Sequence, residues 1–172
     1  MALALLSSIQ ANTIWPKPQS QQESGVHYTL DPVAFRFKAS GAGAGSDVLK
    51  DAFKRYRGII FQHSASANAL AMEGDAISSA TVNVASADES LTLETNQAYN
   101  LTVGSEISIE ANTVYGALNG LESPSQLVNR GTFIDGTKVV DCPRYQFRAT
   151  MIDTSRHYFP LEVILHHIDA MA

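Results

Sequence analysis

No lysine or arginine occurs from Gly58 to Asn129, and four short segments within that stretch alternate apolar and polar residues with period two: residues 80–84 (ATVNV), 91–95 (LTLET), 99–103 (YNLTV) and 106–110 (EISIE). Alternation of that period belongs to strands that bury one face and leave the other in water. The intervals between the segments are short, which favours antiparallel pairing, because parallel neighbours need a long crossover. The expectation is an α+β fold built on an antiparallel sheet, with helices on one face and the other face partly solvated.

The flanking sequence supplies the rest of such a domain. Residues 26–30 (VHYTL) and 34–38 (AFRFK) read as two further strands separated by Asp31-Pro32, and residues 41–45 (GAGAG) as a flexible loop. Ser46 and Asp47 then offer a cap and a first-turn negative charge to a helix running to Gln62. Val48, Leu49, Ala52, Phe53, Tyr56, Ile59 and Ile60 form its apolar side, while Lys50, Asp51, Lys54 and Arg55 make a solvated face rather than a basic patch. A second helix is expected after Asn112 or Thr113, lined by Val114, Leu118, Leu121 and Val128 and kinked or ended by Pro124, which removes a backbone donor and crowds the carbonyl of Gly120. Residues 132–141 suggest a small hairpin turning at Gly136.

Composition narrows the function classes. A chain of 172 residues with 45% apolar content suffices for one good core. Its formal charge of −5 argues against nucleic acid and acidic lipid surfaces, which need clustered cations. Cys142, the lone cysteine, excludes an internal disulfide and a multi-cysteine metal site. No apolar run reaches the roughly 18 residues of a membrane span. Residues 1–14 open on an apolar Met1 to Leu6 segment similar to the tail of a signal peptide, without the basic n-region or a clean cleavage site. Asn100-Leu101-Thr102 is a sequon, a glycan site in an exported chain.

After Cys142-Pro143 the character changes. Residues 144–153 (RYQFRATMID) read as a strand with an apolar end, and Pro160 opens a last helix carrying Ile164, Leu165, Ile168 and Met171. A strand followed by a helix is one unit of a parallel α/β architecture, and a lone parallel strand cannot satisfy its edges. The sequence is therefore expected to be truncated relative to a larger fold.

Two stretches carry a family resemblance. Residues 111–123 (ANTVYGALNGLES), with Ser125-Gln-Leu-Val128 after them, resemble the helix closing the small domain of eukaryotic β-N-acetylhexosaminidases, glycoside hydrolase family 20. Pro143-Arg-Tyr, Arg148 and residues 151–158 (MIDTSRHY), followed by Pro160-Leu161, resemble the first strand of that family's catalytic (β/α)₈ barrel and the loop after it. Trp15-Pro16-Lys17-Pro18 and Asp88-Glu89-Ser90 fit in the same order, whereas Pro124 stands where the family commonly has an aromatic residue and Ala149 where it commonly has glycine. The resemblance implies a small α+β domain over 15–141 and, over 142–172, only the first βα unit of a TIM barrel that typically takes about 250 residues. It further implies an enzyme that hydrolyses terminal N-acetyl-β-hexosamine residues by a substrate-assisted route, with no cofactor, a lysosomal, vacuolar or secreted location, and room for a homo-oligomer. The family's catalytic Asp-Glu pair comes from a later barrel strand, so this chain alone is expected to be inactive. A reading from another class is a non-catalytic packing module that associates with a full-length hexosaminidase.

Arg156 is the residue the resemblance marks as substrate-binding. It follows the first barrel strand, and the matching arginine of the family binds the C3 and C4 hydroxyls of the terminal sugar, a task suited to a planar fork of donors. The competing role is a loop brace paired to Asp153. Asp88-Glu89, although an adjacent acidic pair, is expected in an exposed turn with no desolvation to raise a glutamate pKa. Asp153, Ser155 and His157 carry the letters of a hydrolase triad, but alternate residues of one loop do not converge. His166 and His167 are consecutive on a helix and point about 100° apart, so no metal site is expected. Residues 41–45 lack the Lys-Ser/Thr of a phosphate loop.

Overall fold

The Ser46 hydroxyl accepts the backbone N–H of Leu49 at 3.3 Å and so opens helix α1 (Asp47–Ile60), where Asp47 pairs with Lys50 at 2.7 Å. A cap of this kind satisfies one of the donors that a helix start leaves orphaned. The helix buries Leu49, Ala52, Tyr56 and Ile60; Val48 and Ile59, also expected on that side, are exposed. These residues belong to a computed structural model that describes residues 14–62, 76–129 and 132–171. The apolar Met1 to Leu6 segment lies outside the described residues.

Six strands form one sheet in the order β1 (Ser20–Thr29), β6 (Phe133–Asp141), β4 (Tyr99–Val103), β5 (Ile107–Ala111), β3 (Ser79–Val84) and β2 (Arg36–Ser40). Helix α2 (Val114–Leu127) begins at Thr113, whose hydroxyl accepts the Gly116 N–H, and packs on the same face as α1. Its approach is close. A Cβ at Gly120 would lie 2.6 Å from Ile109 Cγ2, and one at Gly116 would lie 2.4 Å from the Ala98 carbonyl. The alternating strands turn Val82, Val84, Tyr99, Leu101, Val103, Ile107 and Ile109 toward these helices and leave Asn83, Asn100, Thr102 and Glu110 on the opposite face. Phe35, Phe37, Phe53 and Phe61 extend the core at the β2 edge through edge-on and stacked contacts about 5 Å apart.

The α+β class and the helix-covered face agree with the sequence, but the sheet is mixed rather than antiparallel. β2 pairs with β3, and β3 with β5, in parallel, while β1–β6, β6–β4 and β4–β5 are antiparallel. The reason is connectivity: α1 lies between β2 and β3 in sequence and provides the crossover that parallel neighbours require. Three local expectations also change. Residues 91–95 are no strand; Leu91 and Leu93 are exposed, and Thr95 closes a turn by accepting the Thr92 N–H on its hydroxyl at 2.8 Å. Residues 132–141 form no hairpin, because Gly136 sits inside the continuous strand β6, where a Cβ would strike Ser24 Oγ. The GAGAG segment is a packed 3₁₀ turn (Ala42–Gly45): Gly41 has φ 82° and lies against the Val84 carbonyl. Pro124 is buried within α2, which continues one turn beyond it.

Residues 144–153 contain no strand, although helix α3 (Leu161–Met171) forms as expected. A parallel strand has no ladder without a partner, and none of the described strands reaches this segment. No residue described between Cys142 and Met171 is buried. Among the described residues, no helix is long and apolar enough to cross a membrane.

Candidate functional site

The turn after residue 152 is organised by one carboxylate. Oδ1 of Asp153 accepts the backbone N–H groups of Ser155 at 2.9 Å and Arg156 at 3.0 Å, and Oδ2 accepts Arg156 Nη1 at 2.9 Å. Aspartate suits this position because its short side chain reaches backbone donors two and three residues ahead. The pairing occupies only Nη1, so Nη2 and Nε lie outside it, and the Arg156 side chain is 85% exposed. An ion pair this exposed contributes about 0–1 kcal/mol. Its consequence is geometric: the turn holds one corner of the guanidinium and leaves Nη2 and Nε to meet a polar ligand. The brace to Asp153 and a ligand-binding role are thus compatible in one arrangement.

Other candidates fall apart on geometry. Asp88 accepts the Ser90 N–H at 2.8 Å, and that hydrogen bonding holds its carboxyl below the ordinary range, the opposite of what a general acid needs. Both Asp88 and Glu89 are exposed, and the Glu89 carbonyl is engaged by the Tyr115 hydroxyl at 2.7 Å. Ser155 and His157 share the single turn closed by Asp153, with the His157 N–H directed to the Asp153 carbonyl at 3.4 Å. His167 pairs through Nε2 with Thr150 Oγ1 at 2.7 Å. Among the described residues, no group of three His, Cys, Asp or Glu converges on a metal position.

The junction between the sheet unit and the C-terminal segment contains contacts that the sequence did not disclose. Arg148 donates to Gln97 Oε1 and to the Tyr145 carbonyl, each at 2.6 Å. Beside it runs a groove of about 820 Å³ between Tyr56, Tyr115 and Glu122 on one side and Phe147, Arg148 and Met171 on the other. Beneath the junction the Tyr99 hydroxyl lies 2.6 Å from Ser123 Oγ and donates to Asp141 Oδ2 at 3.4 Å. Burial, reinforced by the Asp141 charge, pushes the Tyr99 phenol up to about 12. A tyrosine at a buried position of an alternating strand was the available signal, since its hydroxyl needs a partner; nothing local marked Gln97.

Residues 14–127 match the family described as beta-acetyl hexosaminidase like, and residues 145–172 match the glycosyl hydrolase family 20 catalytic domain. The chain is 40% identical over 186 residues to beta-hexosaminidase subunit alpha of Rattus norvegicus, covering 100% of this chain and 35% of that protein. Beta-hexosaminidase 1 of Arabidopsis thaliana is 35% identical over 182 residues, covering 92% and 33%. Among solved structures, the chitobiase of Flavobacterium johnsoniae superposes with a TM-score of 0.75 at 24% identity, over 93% of this chain and 25% of that one, a likeness of fold. The chain spans about a third of the length of these curated relatives.

Proposed function

This chain belongs to the β-N-acetylhexosaminidases of glycoside hydrolase family 20, and on that premise we propose that it supplies the N-terminal portion of an enzyme removing terminal N-acetyl-β-hexosamine residues from glycoconjugates or oligosaccharides. In this reading residues 15–141 are the small α+β domain and residues 142–172 begin the catalytic barrel. The compartment is lysosomal, vacuolar or extracellular, and the partner is the sugar-terminated glycan.

The Asp153 turn is the observation that carries the reading. Arg156 is the substrate-binding residue: the fork that Asp153 leaves available spans two neighbouring hydroxyls of a pyranose ring, and the turn fixes where the fork starts. Binding two hydroxyls through parallel N–H donors sets the orientation of the ring as well as its affinity. In this reading general-acid catalysis belongs to residues outside this chain, since Asp88 and Glu89 are both exposed and hydrogen bonding from Ser90 holds the Asp88 carboxyl below its ordinary range. The 172-residue chain by itself therefore turns over no aryl N-acetyl-β-glucosaminide above background.

The test places this chain in the corresponding third of rat subunit alpha and assays that glycoside. The expected result is activity in the hybrid and none in the chain alone. Arg156→Lys in the hybrid keeps the charge and loses the fork, raising KM and lowering kcat/KM by on the order of 1–3 kcal/mol. A well-folded Arg156→Lys hybrid with unchanged kinetics would leave Arg156 only its loop-bracing role. Turnover by the homogeneous chain alone would place a catalytic site within residues 1–172 and overturn the division of labour.

A further inference from the structure

We propose that Asn100 carries an N-linked glycan, rooted at the centre of the helix-free face of the sheet. The inference rests on the proposed export of the chain, and the structure adds what the sequon alone lacks. Asn100-Leu101-Thr102 is the single Asn-x-Ser/Thr triplet in the sequence. In β4 the residues Tyr99, Leu101 and Val103 are buried under the helices, so Asn100 and Thr102 both stand exposed on the other side. The register shows what surrounds them. Asn83, Glu110, Asn100 and Val140 form one row across β3, β5, β4 and β6, and all four are exposed. A substituent on Asn100 thus displaces no part of the core, whereas the same triplet shifted by one residue would aim its sugar into α2.

Space and chemistry at this position suit a sugar. A shallow depression of about 440 Å³ adjoins Asn100, with Asn83, Asn96, Glu110 and Asn112 along it and Ala98 and Ala111 between them. Carboxamides and a carboxylate offer both donors and acceptors to the hydroxyl and acetamido groups of a first N-acetylglucosamine. Val140, 52% exposed beside Asn100 in the row, is apolar surface that the sugar would shield. In the attachment step Asn100 Nδ2 forms a bond to C1 of a polyisoprenyl-pyrophosphate-linked oligosaccharide. The C1–O bond to pyrophosphate breaks, the lipid pyrophosphate departs with the electron pair, and the amide yields one proton. Nothing is oxidised or reduced.

The experiment expresses the full chain in eukaryotic cells in two forms, with its own N-terminus and behind a cleavable secretory leader. With one sequon, occupancy is one step in electrophoretic mobility that a peptide:N-glycosidase removes, and peptide mass spectrometry then finds aspartate at position 100. The leader-bearing chain is expected to show that step; Asn100→Gln and Thr102→Ala lose it, and Thr102→Ser retains it. A leader-bearing chain that is secreted or luminal yet unmodified at Asn100 overturns the proposal. If the chain with its own N-terminus stays outside the lumen while the leader-bearing chain is modified, the site stands and the export reading fails.

Discussion

Helices α2 and α3 are of similar length and both place apolar residues at helical spacing, yet α2 buries Val114, Ala117, Leu121 and Leu127 while α3 buries nothing. Leu161, Val163, Leu165 and Ile168 of α3 are each about half exposed or more. The difference lies outside the helices' own patterns. An apolar stripe states that a face should be covered but not by what, and only α2 has a sheet against it, which it approaches through Gly116 and Gly120. Residues 144–153 make the same point for strands: their sequence suits a strand, and without a neighbour they form none.

The largest expected effect is a paired substitution that measures this contrast. Leu121→Ala empties a fully buried position and should cost about 2–5 kcal/mol in chemical denaturation of the chain. Leu165→Ala removes the same atoms from a half-exposed position and should stay within about 0.5 kcal/mol. Equal losses would mean that α3 shares the core and would erase the comparison.

A smaller effect separates glycines by what surrounds them. In Gly116→Ala the new Cβ starts 2.4 Å from the Ala98 carbonyl, a backbone atom that must move, so an overpacking loss of about 1–3 kcal/mol outweighs the gain of up to about 1 kcal/mol in helix propensity. Gly58 in α1 has no atom within 4 Å of its would-be Cβ, and Gly58→Ala should stabilise by about 0.4–1 kcal/mol. Shifts of the same sign in thermal melts of the two variants would contradict the close docking of α2.

These residues also mark how far the sequence could be read. The Ser46 cap with Leu49, Ala52, Tyr56 and Ile60 behind it, and the alternation around Val82, Leu101 and Ile109, are local signals of period 3.6 or 2, and they held. Strand direction was not local: β2 and β3 run parallel because α1 connects them, a fact that no single segment contains. Leu91 and Leu93 alternate as a strand does, but the hydrogen bonds from Thr92 N–H to the Thr95 hydroxyl and from Thr95 N–H to the Thr92 carbonyl hold a turn that competes with any ladder. At the candidate site the family motif singled out Arg156, with Asp153 as the partner of its bracing role, and the carboxylate's hold on the turn is what an Asp two and three residues before those amides does. The Arg148–Gln97 contact joins residues 51 positions apart and left no trace in either segment.

A third prediction uses pH. Tyr99 ionises at about 12 in the folded chain because burial penalises the phenolate, against about 10 for an unfolded tyrosine. Burial, with Glu122 close by, raises Tyr56 in the same direction. A folded-state pKa above the unfolded one means that the native chain keeps its proton while the unfolded chain loses it. This contribution is fully present below about pH 10 and disappears as pH climbs toward 12. Tyr99→Phe should cost about 1 kcal/mol near neutrality through the lost hydrogen bonds to Ser123 and Asp141. The gap to the unsubstituted chain should narrow above pH 10 in urea melts. A constant gap would show that the Tyr99 hydroxyl is solvated.

The smallest effect on stability concerns a side-chain pair that ties the two regions, and it sharpens the comparison most directly. Arg148 reaches Gln97 at 2.6 Å in an exposed hydrogen bond, from a segment whose described residues are exposed or half-buried, so it should contribute no more than about 1 kcal/mol. Its loss should not alter the unfolding of the sheet unit, whose core contains neither residue. It should instead free the segment. Limited proteolysis of the chain is expected to cut first between Pro143 and the C-terminus, because backbone there has few buried contacts and opens at little cost. Arg148→Ala should speed that first cut several-fold while leaving the melting temperature of the remaining fragment unchanged. Gln97→Ala should do the same, and the double variant should be no faster than either single one, because both remove one interaction. Additive acceleration would assign each residue a separate role, and a lowered melting temperature in Arg148→Ala would mean that the C-terminal segment supports the sheet after all.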